Sequence, residues 1–208
     1  KIWRDHVVGP FADGRAAIMI DRHMVQETTS WHAFDALRDR GLPVRHPELT
    51  WSVIDHSPAT TPGRTADSFP PTRSMIVAMR AHAKEFGVRL ADIDDPGQGI
   101  VHVIAPEQGI ALPGTTLVCG DSHTATSGGL GAWAWGIGTT QVAHVLASQM
   151  LILRRPRTLR ANFTGRLAPG VHAKDMILSL IGKFGTAAGT GHVVEYAGPA
   201  IRALPIEG

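Results

Sequence analysis

Cysteine, tyrosine, net charge and long apolar runs are all scarce in this 208-residue chain, and each scarcity closes off a class of protein. A single cysteine, Cys119, permits no internal disulfide framework and fits a reducing compartment. No stretch reaches the ~18 consecutive apolar residues that a bilayer crossing needs. The 20 Lys and Arg against 18 Asp and Glu leave a net charge of +2. That is too little to drive binding to nucleic acid by phosphate neutralisation, and aromatics for base stacking make up only 6%. The one basic cluster, Arg154, Arg155, Arg157 and Arg160 around Pro156, reads as a solvated connector. The opening residues Lys1 to His6 carry no signal-peptide core, so cytoplasm is the expected location. What remains is a globular composition, 43% hydrophobic, long enough to bury a sizeable core.

The order of elements points to an α/β fold with a mostly parallel sheet flanked by helices. Residues 15–21 read as a strand, and 30–40 as a helix capped by Ser30. Residues 51–54 form a β-prone run, followed by a Pro-rich loop over 58–71. Residues 72–86 carry apolar side chains at helical spacing and stop before Gly87. Strands are expected at 88–93 and 115–119, a helix over 139–153, a strand over 159–167 and a helix over 172–184. The small-residue segment 185–191 lacks the lysine and hydroxyl of a phosphate loop and reads as a plain loop.

The segment Cys119-Gly120-Asp121-Ser122-His123-Thr124, followed by Ser127-Gly128-Gly129-Leu130-Gly131, carries the most chemistry. A short buried strand breaks into a turn of small and ionisable residues, and the glycines are read as opening a helix. Such a turn lets a small anion approach the backbone. An aspartate beside a histidine can orient the ring and raise its basicity. The same residues also suit a turn that simply bonds its own backbone. Asp55-His56 repeats the acid–imidazole pairing after residues 51–54. His102 lies in the otherwise apolar segment 99–104 and, taken singly, reads as a core histidine. Three histidines near predicted strand ends, two with an adjacent aspartate, fit the crevice beyond the carboxyl ends of an open α/β sheet.

Four separated stretches resemble the aconitase superfamily: residues 20–33, 99–114 (GIVHVIAPEQGIALPG), 118–139 and 189–201 (GTGHVVEYAGPAI). The likeness runs in register through the whole chain and is strongest to the isopropylmalate branch, a large subunit of a dehydratase in leucine biosynthesis. The resemblance implies a hydro-lyase that removes water from a hydroxy-di- or tricarboxylate and adds it back at the neighbouring carbon. It implies catalytic roles for Asp55, His56, His102, Asp121 and His123, with each aspartate orienting the histidine beside it. It implies substrate contacts from Gln26 and Ser122. Gln26, Ser57 and Ser127 depart from that branch, which leaves aconitase, homoaconitase and citraconate or maleate hydratases open as alternatives.

The family also implies a 4Fe-4S cluster with one open iron, which takes three thiolates. Cys119 matches none of its ligands and is expected to be a buried, unliganded thiol, so no metal ligand is assigned within the chain. Residues 1–156 are expected to form a first aconitase-type domain and 157–208 the start of a second, cut where Ile206-Glu207-Gly208 would lead into another strand. The expected partners are the remainder of the large subunit and a small swivelling-domain subunit, with no nucleic acid or membrane. The isolated chain is expected to be inactive. Two other readings stay open: a metal hydrolase using Asp55, His56, His102, Asp121 and His123 as direct ligands, and a non-catalytic binding module.

Overall fold

Buried runs, rather than alternating ones, mark the central strands, as a sheet covered on both faces requires. A computed structural model describes residues 1–205, so the strand expected to follow residues 206–208 lies outside the described residues. The chain forms two units, Lys1–Leu153 and Arg154–Gly208.

In the first unit, α1 (Ile2–His6) leads into β1 (Val7–Pro10), β2 (Arg15–Met19) and β3 (Arg22–Gln26). Helix α2 (Glu27–Asp39), β4 (Thr50–Val53), α3 (Arg73–Phe86), β5 (Arg89–Ala91) and α4 (Val101–Glu107) follow. The unit continues with β6 (Thr116–Cys119), β7 (Trp133–Gly136), α5 (Thr139–Ser148) and β8 (Met150–Arg154). Strands β5-β4-β3-β6-β7 make a five-stranded sheet in which every pair is parallel. The chain winds outward from β3 to β4 and β5, then returns to the other side of β3 for β6 and β7. That reversal places a topological switch point between β3 and β6, where parallel sheets leave a crevice at their carboxyl ends. Strands β1, β2 and β8 form a separate three-stranded sheet.

Side chains on the two faces of the central sheet feed two cores. Val25, Ile54 and Val118 pack with Phe34, Leu37, Met79, Val142 and Leu146 of the covering helices α2, α3 and α5. Met24, Val53, Leu117 and Cys119 pack with Val101, Ile104 and Ala105 of α4. The mixed α/β fold with a parallel sheet flanked by helices is the one the sequence predicts.

In the second unit, β9 (Arg157–Asn162) and β10 (His192–Ala197) pair in parallel, with α6 (Ala173–Phe184) between them in sequence and α7 (Pro199–Arg202) after them. The loop expected over residues 185–191 is a series of turns.

Four local expectations need correction. Helix α2 starts at Glu27, not Ser30, because the Gln26 side chain accepts the Thr28 N–H at 2.6 Å and serves as the cap. Ser30 lies inside the helix, donating from Oγ to the Gln26 carbonyl. The glycine-rich segment opens no α-helix. It forms a 3₁₀ stretch at Thr124–Leu130 and leads into β7, since glycines hold a helix poorly and Thr124 and Thr126 hydroxyls satisfy nearby carbonyls instead. His102 is not at a strand end but in the first turn of α4. The helix expected over 139–153 stops at Ser148, where Gln149 adopts φ 59° and the chain re-enters a strand.

Candidate active site

At or just beyond the carboxyl ends of β3, β4 and β6 lie, respectively, Gln26-Glu27, Asp55-His56-Ser57 and Asp121-Ser122-His123. Three adjacent parallel strands thus end together at the switch point, and a helix that starts nearby supplies His102. The sheet register accounts for the convergence. Met24 sits opposite both Trp51 and Cys119, so β6 ends level with Met24 while β4 runs two residues further to Val53, level with Gln26, and the turn Gly120-Asp121 after β6 makes up that difference.

Hydrogen bonds link these side chains into one continuous run. Asp55 Oδ1 accepts from His56 Nδ1 at 2.6 Å. His56 Nε2 donates to Asp121 Oδ2 at 2.8 Å, and His102 Nε2 donates to Asp121 Oδ1 at 2.6 Å. Asp121 therefore bridges histidines 65 and 19 residues away in sequence. Asp55 also caps α4, its Oδ2 accepting the Val101 N–H at 2.7 Å. That bond satisfies an orphan donor of the helix and fixes the turn that carries His102.

His123 stands apart from this run. Its Nδ1 lies 3.6 Å from Asp121 Oδ1, beyond hydrogen-bond reach, and within 3.0 Å of Ser122 Oγ. The expected orientation of His123 by Asp121 is therefore replaced by orientation of His56 and His102. The Asp121 carboxylate accepts the His123 backbone N–H at 2.6 Å, and this tight turn swings the ring outward. The His123 side chain is 80% exposed, and its ring centroid lies 6.4 Å from that of His102. Ser122 is exposed beside it.

Gln26 is buried and its amide is fully engaged. Nε2 donates to Thr29 Oγ1 at 2.8 Å and to the Gly120 carbonyl at 3.2 Å, while Oε1 accepts from Thr28. The side chain ties α2 to the turn after β6. Ser57 and Ser127 are both buried, and the Ser127 hydroxyl has no hydrogen-bond partner.

The run is strongly polarised. The hydrogen bond that His56 donates to Asp55 dominates; burial opposes it, and the charges of Asp55 and Glu27 and the bond to Asp121 add to it, so the imidazole is pushed up to about 9. Burial works against the Asp121 anion, but the His123 N–H and the two imidazoles outweigh it and hold the carboxyl down at about 2. Near neutral pH, His56 is thus a cation between two carboxylates, with a proton on each ring nitrogen. This chemistry suits a general acid held ready to donate from Nε2.

Residue type alone does not make this site. His6 Nε2 lies 2.6 Å from Asp21 Oδ2, an equally close acid–imidazole pair. Asp21 precedes β3, however, and bonds Thr116 at the start of β6, so that pair sits at the opposite end of the sheet.

Sequence reading passed over Glu27. It is buried, and its carboxylate accepts the backbone N–H groups of His56 at 2.8 Å, Ser57 at 2.5 Å and Asp55 at 3.2 Å. A glutamate at the first position of a helix is ordinary, and only its burial sets it apart. Ligand atoms of Glu27, Asp55 and His56 lie within 4.8 Å of one another, a spacing that could admit a cation. Yet each of those carboxylate oxygens accepts a protein hydrogen bond, and both His56 nitrogens donate one.

The chain cannot by itself supply the thiolates of an iron–sulfur cluster. Such a group takes three or four thiolates, and Cys119 is the sole cysteine. It is buried in the core beneath α4, where desolvation pushes the thiol well above its usual range and keeps it protonated. Among the described residues, no helix is long and apolar enough to cross a membrane.

An Asp–His–Asp–His run at the carboxyl ends of the strands, beside the switch point of a parallel sheet, marks a domain of the α/β class. The model of the aconitase family (aconitate hydratase) matches residues 1–208, and the chain belongs to that family. Among characterised proteins, it is similar to 3-isopropylmalate dehydratase large subunit 1 of Bradyrhizobium diazoefficiens, with 50% identity over 208 residues. That alignment takes in 100% of this chain and 43% of the relative, so the chain spans less than half the relative's length.

Proposed function

We propose that this chain supplies the acid–base groups of a hydro-lyase acting on a hydroxy-di- or tricarboxylate, with 3-isopropylmalate the favoured substrate. The observation that carries the reading is the hydrogen-bonded run Asp55–His56–Asp121–His102 at the carboxyl ends of adjacent parallel strands. The whole-chain family match and the 50% identical dehydratase subunit support the reaction and substrate class.

In this reading the His56 cation, held by Asp55 through Nδ1, passes its Nε2 proton to the departing hydroxyl. The C–O bond breaks, water leaves, and His56 becomes neutral. Asp121 accepts from both His56 and His102, so it keeps the two rings facing one space and stabilises the charge on either. His102 and the exposed His123 address the same water and hydroxyl region, and Ser122 contacts substrate. Gln26 acts on the substrate's carboxylate side by setting the turn at Gly120. The group that takes the proton from the neighbouring carbon belongs to parts of the enzyme beyond this chain.

The 4Fe-4S cluster of such an enzyme would be held by cysteines outside this chain, because the single buried thiol here does not fit it. Residues 1–156 are assigned to the first aconitase-type domain and 157–208 to the beginning of the second. The partners are the rest of a large subunit and a small swivelling-domain subunit, working in the cytoplasm.

The test is His56→Ala in the assembled enzyme, following ultraviolet absorbance of the unsaturated acid. One positioned general acid is typically worth ~10²–10⁴ in rate, so kcat should fall by about 10² or more with KM little changed. Turnover close to the unsubstituted enzyme would remove His56 from the reaction.

A further inference from the structure

We propose that Glu27 is a positioning residue for the acid–base pair, its carboxylate fixing the backbone on which Asp55 and His56 are mounted. The inference rests on the proposed role of His56, and it assigns a task to a residue that touches neither ring.

Three consecutive backbone N–H groups, from Asp55, His56 and Ser57, converge on this one carboxylate. That convergence determines the path of the chain through the tripeptide, in the way anion-binding nests are built from successive amides. The anion here is the protein's own. Glu27 is buried at the first position of α2, where the helix N-terminus favours negative charge. Two further bonds close the same segment: Gln98 Nε2 donates to the Ile54 carbonyl at 2.7 Å, and Asp55 Oδ2 receives the Val101 N–H. Every backbone N–H of the tripeptide is held by one carboxylate.

A neutral amide could also have accepted a backbone N–H. Burying a carboxylate is costly unless its charge is used, so the choice of glutamate calls for an electrostatic role. The geometry supplies one. A Glu27 oxygen lies within 4.8 Å of a His56 ring nitrogen, adding a third negative group to those around it. The ionisable groups facing His56 are Asp55 from the end of β4, Asp121 from the end of β6 and Glu27 from α2, with His102 of α4 behind Asp121. Glu27 thus serves two ends, holding the peptide path and favouring the charged imidazole.

Nuclear magnetic resonance of the 208-residue chain tests both. In the unsubstituted protein, coupling through the hydrogen bond should link the His56 and Ser57 amide nitrogens to the Glu27 carboxyl carbon. Glu27→Gln should speed amide exchange at residues 55–57 by about 10–100-fold relative to the β6 amides, the equivalent of losing a charge-assisted bond. It should also lower the midpoint of His56 titration. Glu27→Asp, with the charge kept on a shorter arm, should preserve most of that midpoint while exchange still accelerates. Uniform acceleration across β6 with an unchanged His56 midpoint would reduce Glu27 to a structural residue and overturn the proposal. If neither variant folds, absence of the coupling in the unsubstituted chain overturns it alone. These readouts do not depend on turnover, so an enzyme that dehydrates nothing would defeat the functional reading and leave the positioning result standing.

Discussion

Replacing His23 with leucine should reduce the chain's loss of stability in mild acid. His23 lies in the middle of the central sheet, between Thr50 of β4 and Val118 of β6, wholly buried and with neither ring nitrogen hydrogen-bonded. Burial alone pushes its imidazole from 6.5 down to about 3. The unfolded chain therefore binds a proton below pH 6.5 that the folded chain refuses, so stability is complete above that value and lost as pH falls towards 3. Between pH 7 and pH 5 the proton taken up by the unfolded state removes about 2 kcal/mol, a sizeable share of an ordinary domain's stability. Full burial means there is no solvent screening to discount. Leucine has nearly the volume of histidine and nothing to protonate. Urea unfolding of both proteins at pH 7 and pH 5 gives the comparison, since contributions from every other titrating group cancel between them. If the leucine variant loses as much stability as the parent on acidification, the buried neutral imidazole is not the acid-sensitive element and the reasoning fails.

Two predictions bear on the candidate site. Asp121→Asn keeps the shape but removes the charge that bridges His56 and His102, so the His56 midpoint should drop from about 9 by about one unit, allowing for its partial exposure. Imidazole nitrogen shifts followed against pH report this directly, and an unmoved midpoint would mean that Asp121 does not hold the charge on the ring. Gly136→Ala would press a methyl group into the Asp121 carbonyl from the facing strand β7. That overpacking should cost ~1–3 kcal/mol, read as a lower urea midpoint at unchanged slope. Gly9→Ala, where nothing lies within 4 Å, is the control.

Much of the fold could be read from the chain because the hydrophobic period changes type at each element. The apolar spacing over Arg73–Phe86 and the stop at Gly87 predict α3 almost to the residue. The buried run at Thr116–Cys119 could be read as a covered parallel strand. The glycine-rich segment was opaque for the opposite reason: with few side chains to pack, its conformation is set by hydroxyls and neighbouring strands. The segment holding His102 was equally ambiguous, since a short apolar run suits strand or helix until Asp55 caps it from a distance.

Sequence alone singled out the candidate residues, Asp55–His56, Asp121 with His123, and His102, in motifs of one family, with a single cysteine that cannot by itself ligate a cluster. Tertiary structure alone decided the pairing. Asp121 reaches across the sheet to His56 and His102 rather than to its neighbour His123, because its own turn consumes the nearby N–H and points that ring outward. Structure alone also separates Asp55–His56 from Asp21–His6, by placing one at the carboxyl ends of the strands and the other at the opposite end. Burial is what makes Glu27 and His23 consequential, and burial depends on what the rest of the chain lays over a residue.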